Sequence, residues 1–78
     1  TTPGVLHTYT PEYMADCVKR HATGDWGDLD DEDKQANEEA LVNGERIFSH
    51  YENAEGDRLY IITEWDRSVT TLLLPEEY

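Results

Sequence analysis

A chain of 78 residues holds one domain, and at that size folding removes only roughly 60% of the unfolded chain's surface from water, which excludes a large core. One cysteine, Cys17, excludes an internal disulfide framework, and no stretch approaches the roughly 20 consecutive apolar residues of a membrane helix. Eighteen acidic residues against six basic ones leave a formal net charge of -12, which disfavours contact with DNA, RNA or anionic lipid and makes a basic protein surface the expected partner.

The opening TTPGVL lacks the basic and apolar blocks of a signal peptide, so the cytoplasm is the expected compartment. Its Pro3-Gly4 pair signals a turn, and Val5 and Leu6 are expected to form a short N-terminal edge strand or an arm laid on the core. A helix is expected from Thr10-Pro11: threonine caps the first turn, and proline at the first helical position loses a hydrogen bond it would not have made. Met14, Cys17, Val18 and His21 recur at spacings of three and four as its apolar stripe, and Gly24 is the expected terminator.

Asp25-Trp26-Gly27 is a tight connector, with Trp26 expected to plug the space between two helices. Asp28 is the expected cap of the second helix, and Asp30, Asp31, Glu32 and Asp33 fall where carboxylates interact favourably with unsatisfied N–H groups. Leu29, Ala36, Ala40 and Leu41 form its narrow buried stripe, with Asp33 and Asn37 near its edge, and Asn43-Gly44 ends it. From Glu45 the period becomes two. ERIFSHYE, DRLYIITE and VTTLLLP are expected as three strands joined by hairpins, with Gly56 supplying a positive φ.

Ile47, Ser49 and Tyr51 share one strand face, and Phe48 and His50 the other; Leu59 and Ile61 likewise oppose Tyr60 and Ile62. One sheet face should therefore take both helices. The other should take the N-terminal arm or remain a partly apolar surface, which would suit a homodimer anchored on Tyr51 and Tyr60. The whole reads as a single small acidic α+β domain over residues 1–78: two helices on a three-stranded antiparallel meander, in the order α-α-β-β-β.

Chemistry-bearing residues are sparse. Cys17 and His21 lie one helical turn apart and, with Asp25 near Trp26 and with His50 or Arg67 assisting, are the residues a small metal- or ligand-binding enzyme would use. The same two residues also read as a core cysteine and a carbonyl-capping histidine. An EF-hand started at Asp28 would place Asp28, Asp30, Glu32 and Glu39 correctly, but Asp33 stands where the loop needs glycine. No phosphate loop, nucleophile elbow or CxxC motif is present, and the arginines Arg20, Arg46, Arg58 and Arg67 are dispersed, each expected beside a carboxylate. Neither an enzyme nor a cofactor is the favoured expectation.

What remains is the acidic segment, with eight carboxylates between Asp25 and Glu39 against the lone Lys34. Asp28, Asp30, Asp31, Glu32, Asp33, Glu38 and Glu39 offer a basic partner a track of charge resembling nucleic-acid phosphates, and Trp26 beside them is an anchor candidate. A solvated helix face and a core tryptophan are the competing reading.

Over HATGDWGDLDDEDKQANEEALVNGERIFSHY and IITEWDRSVTTLLLPEEY the chain resembles a family of small, uncharacterised bacterial proteins from plasmids, phages and other mobile elements. GDWG, EDKQAN and DRS-TT-LLPEEY carry the resemblance, which extends from TPGVL to the C-terminal tyrosine. It implies an accessory role in a mobile element, where small acidic proteins block host defence or regulatory proteins by occupying basic surfaces.

Overall fold

A computed structural model of the chain describes residues 1–78. Three helices precede three strands: α1 (Pro3–Thr8), α2 (Pro11–Ala22), α3 (Asp31–Asn43), β1 (Ile47–Glu52), β2 (Arg58–Thr63) and β3 (Thr70–Leu73), followed by a 3₁₀ turn at Pro75–Glu77. The strands form one antiparallel sheet in the order β1-β2-β3, pairing Ser49 with Ile61 and Ile61 with Leu72. The fold is α+β.

The residues expected as an N-terminal strand or arm are helical instead. Thr2 accepts a hydrogen bond from the Val5 amide at 3.4 Å and Pro3 occupies the first turn, repeating the device at Thr10-Pro11, where Thr10 accepts from Tyr13 at 3.2 Å. Forming one turn of helix lets Val5 bury completely, whereas alternating strand geometry would send Val5 and Leu6 to opposite sides.

Period-two alternation divides the sheet cleanly. Tyr51, Leu59, Ile61 and Leu72 lie on the face covered by α1 and α2 and form one core cluster with Val5, Tyr9 and Cys17. Of the predicted α2 stripe, Cys17 and His21 are buried, Met14 half-buried and Val18 exposed at the edge. The opposite, more open face lies away from α1 and α2 and carries Phe48, His50 and Tyr60, all half-buried, with Ile62 and Leu73, both buried. Tyr51 therefore cannot anchor a homodimer on the open face, because alternation places it on the covered one at 0% exposure.

The second predicted helix sits elsewhere than expected. It begins at Asp31 with Asp30, not Asp28, as its cap, and it ends on Gly44 at φ 71°. Its buried residues are Asn37 and Ala40; Ala36 and Leu41, expected to be buried, are exposed. Rather than lying on a sheet face, α3 runs beside the free edge of β1, where a broad apolar stripe would have nothing to meet.

Candidate functional site

Three successive outward-facing residues of β1 have their backbone groups taken up by the Trp26–Asn37 segment. The Phe48 amide donates to Asn37 Oδ1 at 3.1 Å, and Asn37 Nδ2 donates back to the Phe48 carbonyl. His50 donates to the Trp26 carbonyl at 3.4 Å and accepts from the Asp28 amide at 2.7 Å. The Glu52 amide donates to Asp28 Oδ2 at 2.8 Å. A strand edge left open is a template for another chain, and the side-chain amide of Asn37 closes this one by imitating a neighbouring strand.

Gly27 makes the approach possible. It sits at φ 75°, and a Cβ there would collide with the His50 carbonyl and lie 2.6 Å from Tyr51 Cδ1. Trp26 beside it is 5% exposed and packs with Leu29, Ala40 and Ile47. Its indole N–H donates to Glu38 Oε2 at 2.7 Å, so α3 is pinned by a charge-assisted hydrogen bond as well as by Asn37. The plug joins the connector to α3 and β1 rather than filling a gap between two helices, and its burial removes Trp26 from the contact surface.

The acidic residues divide by what they do. Asp30 accepts from the Asp33 amide at 2.8 Å, Asp28 holds the β1 edge, and Glu38 holds Trp26. Glu39 meets Gln35 at 3.5 Å, while Asp31, Glu32 and Asp33 have no side-chain hydrogen bond. All seven from Asp28 to Glu39 are exposed, and none forms an ion pair. The two salt bridges in the chain are Arg20–Asp25 at 2.8 Å and Arg58–Glu52 at 3.8 Å. The Arg20 side chain, with help from the Gly27 amide, holds the Asp25 carboxyl below its ordinary value.

The expected arginine–carboxylate pairing fails at Arg46 and Arg67. Arg46 donates to the Tyr78 hydroxyl at 2.8 Å. Arg67, at φ 63°, donates to the carbonyls of Glu45, Glu64, Trp65 and Ala40, so it caps the last turn of α3 instead of pairing with its acids.

Cys17, His21 and Asp25 are not assembled into one site. Burial pushes the Cys17 thiol up, and the sulfur sits in the main core beside Tyr13. His21 meets Ser49 Oγ through Nδ1 and Thr63 Oγ1 through Nε2 at 2.8 Å, and Thr63 meets Thr70 at 2.9 Å. Burial lowers the His21 pKa, and a neutral ring can donate to one hydroxyl while accepting from the other. Within this chain of hydroxyls Ser49 is fully buried, Thr63 is nearly so, and Thr70 is exposed. No group of three or more His, Cys, Asp or Glu side chains is arranged to hold a metal ion, and no helix is long and apolar enough to cross a membrane.

Two grooves flank α3. One, of about 590 Å³, lies above His21 and Trp26 and is bounded by Glu38, Leu41, Thr63 and Arg67. The other, of about 740 Å³, separates α3 from the open sheet face at Phe48, Tyr60 and Tyr78. Sequence reasoning missed this second groove. Phe48 and Tyr60 on one face were a legible signal, whereas the return of Tyr78 onto them was not. No protein-family model, curated protein or solved structure matches the chain.

Proposed function

We propose that the protein is a non-enzymatic accessory protein of a mobile element, acting in the cytoplasm by binding a basic protein surface through α3. The partner class favoured is a nucleic-acid-binding protein of the host, whose phosphate-binding surface the carboxylates of α3 would occupy, as in an anti-defence role. One observation carries the reading. Helix α3 buries only Asn37 and Ala40, and its exposed carboxylates have no cationic partner within the chain. Such a surface accelerates encounter with a cationic partner and makes the complex salt-sensitive.

The contact residues are Asp31, Glu32, Asp33 and Glu39, which have the least structural employment; Asp28, Asp30 and Glu38 contribute charge while holding the fold, and Trp26 fixes Glu38 from inside. Affinity capture from host lysate at low and high salt, followed by binding to the purified captured protein, tests this. The combined D31N/E32Q/D33N/E39Q variant should bind at least about tenfold more weakly. Unchanged affinity, or affinity indifferent to salt, would refute the reading.

A further inference from the structure

The open face of the sheet carries three aromatic rings whose planes are nearly mutually perpendicular. Phe48 and Tyr60, on adjacent strands, meet at 4.8 Å and 74°; Tyr78 returns from the C-terminal segment to stand 6.2 Å from Phe48 at 77° and 6.0 Å from Tyr60 at 80°. All three line the groove of about 740 Å³ beside α3. Tyr78 is 66% exposed yet oriented, because its hydroxyl accepts from Arg46.

An aromatic corner of this kind presents the electron-rich faces that attract a cation. No cation of the chain lies over the face of these rings: Arg46 meets Tyr78 at its hydroxyl, and the cation–π contact, Arg20 over Tyr51 at 4.7 Å, lies on the covered face. Two carboxylates, Asp33 from α3 and Glu45, share the lining with the rings, against the single charge of Arg46. Ring faces and carboxylates together match a planar guanidinium, which stacks and donates several hydrogen bonds at once.

We propose that this groove receives an arginine side chain presented by a basic protein segment. The inference rests on the reading of α3 as a surface for a basic partner, and it adds where that partner is anchored and by what. The carboxylates of α3 supply long-range attraction, and the ring corner supplies the short-range contact. Arginine fits better than lysine because it can stack flat on a ring while its remaining N–H groups reach Asp33 or Glu45.

NMR titration of the isotope-labelled full chain with N-acetyl-arginine methylamide tests the proposal, with the lysine and the uncharged citrulline analogues as comparisons. Arginine should shift the ring resonances of Phe48, Tyr60 and Tyr78 saturably, lysine should do so more weakly, and citrulline should leave them in place. Tyr78→Leu, at an exposed position that leaves the core intact, should weaken the arginine effect by roughly fivefold. Equal shifts from citrulline, lysine binding as tightly as arginine, shifts elsewhere, or an unchanged response in Tyr78→Leu would overturn it. Concentration-dependent shifts of the same rings without ligand would also overturn it, assigning the groove to a second copy of the chain. An E32Q/E39Q variant separates the two readings, since neither side chain lines the groove: loss of these carboxylates should reduce capture of a basic protein while preserving the arginine shifts. Capture that persists without any arginine shift would sink this proposal and leave the acidic-surface reading standing.

Discussion

Beneath α1 and α2, the covered sheet face is closed by Val5, Tyr51, Leu59 and Ile61, all at 0% exposure. Beside β1, α3 has twice the length of α1 yet buries only Asn37 and Ala40. The first region is held by apolar area removed from water. The second is held by hydrogen bonds to a strand edge and by one tryptophan, and its helix is consequently free to carry charge over most of its circumference. In this chain, edge protection and display of carboxylates are two consequences of the same placement.

The largest expected effect lies at the seam between the regions. Gly27→Ala adds a Cβ against the His50 carbonyl and the Tyr51 ring at a positive φ, and should cost about 4 kcal/mol in urea unfolding. A loss below about 1 kcal/mol would show that the connector can move away from β1. Next come matched leucines. Leu59→Ala should cost about 3 kcal/mol, and Leu41→Ala on α3 less than about 0.5 kcal/mol. Equal losses would erase the contrast, since Leu41 is 49% exposed and Leu59 fully buried.

Asn37→Ala leaves the Phe48 amide and carbonyl unpaired and should cost about 2 kcal/mol. It should also produce concentration-dependent association through the opened β1 edge, detectable by light scattering. A smaller effect is pH-dependent. Burial lowers the folded-state pKa of His21 below its unfolded value, so the unfolded chain binds more protons in the interval between the two. The stability His21 contributes is complete above about pH 6.5 and falls as pH drops from there through the folded value. His21→Gln should flatten the change in urea midpoint over that interval while carboxylates remain ionised. An unchanged slope would mean that folding leaves the His21 pKa where it is in the unfolded chain.

These contrasts also explain what could be read from the chain. The sheet was legible because Ile47–Tyr51 and Leu59–Ile62 alternate, and α2 because Thr10-Pro11 announces its start. The same Thr-Pro signature at Thr2-Pro3 went unread because Gly4 follows it and a helix of one and a half turns leaves almost no periodicity. The start of α3 was misplaced because Asp28 and Asp30 are both good caps, and only the pairing of Asp28 with β1 decides between them. Asn37 could be placed near the edge of the buried stripe, but its role could not be read. A polar residue within a helix normally faces water, and its role exists only once a strand edge lies beside it. For the same reason the acidic surface was visible in composition, whereas which of its carboxylates hold the fold was not.

The central claim is that Asp31, Glu32, Asp33 and Glu39 form an unpaired surface charge that the fold does not need. The most direct measurement is urea unfolding of the wild-type protein and the D31N/E32Q/D33N/E39Q variant across a range of sodium chloride concentrations. Salt should raise the wild-type midpoint by screening repulsion, the variant should lose less than about 1 kcal/mol at any salt, and its salt response should be clearly shallower. A wild-type protein destabilised by salt, or a variant that unfolds outright, would show these carboxylates to be paired structural groups and would contradict the account.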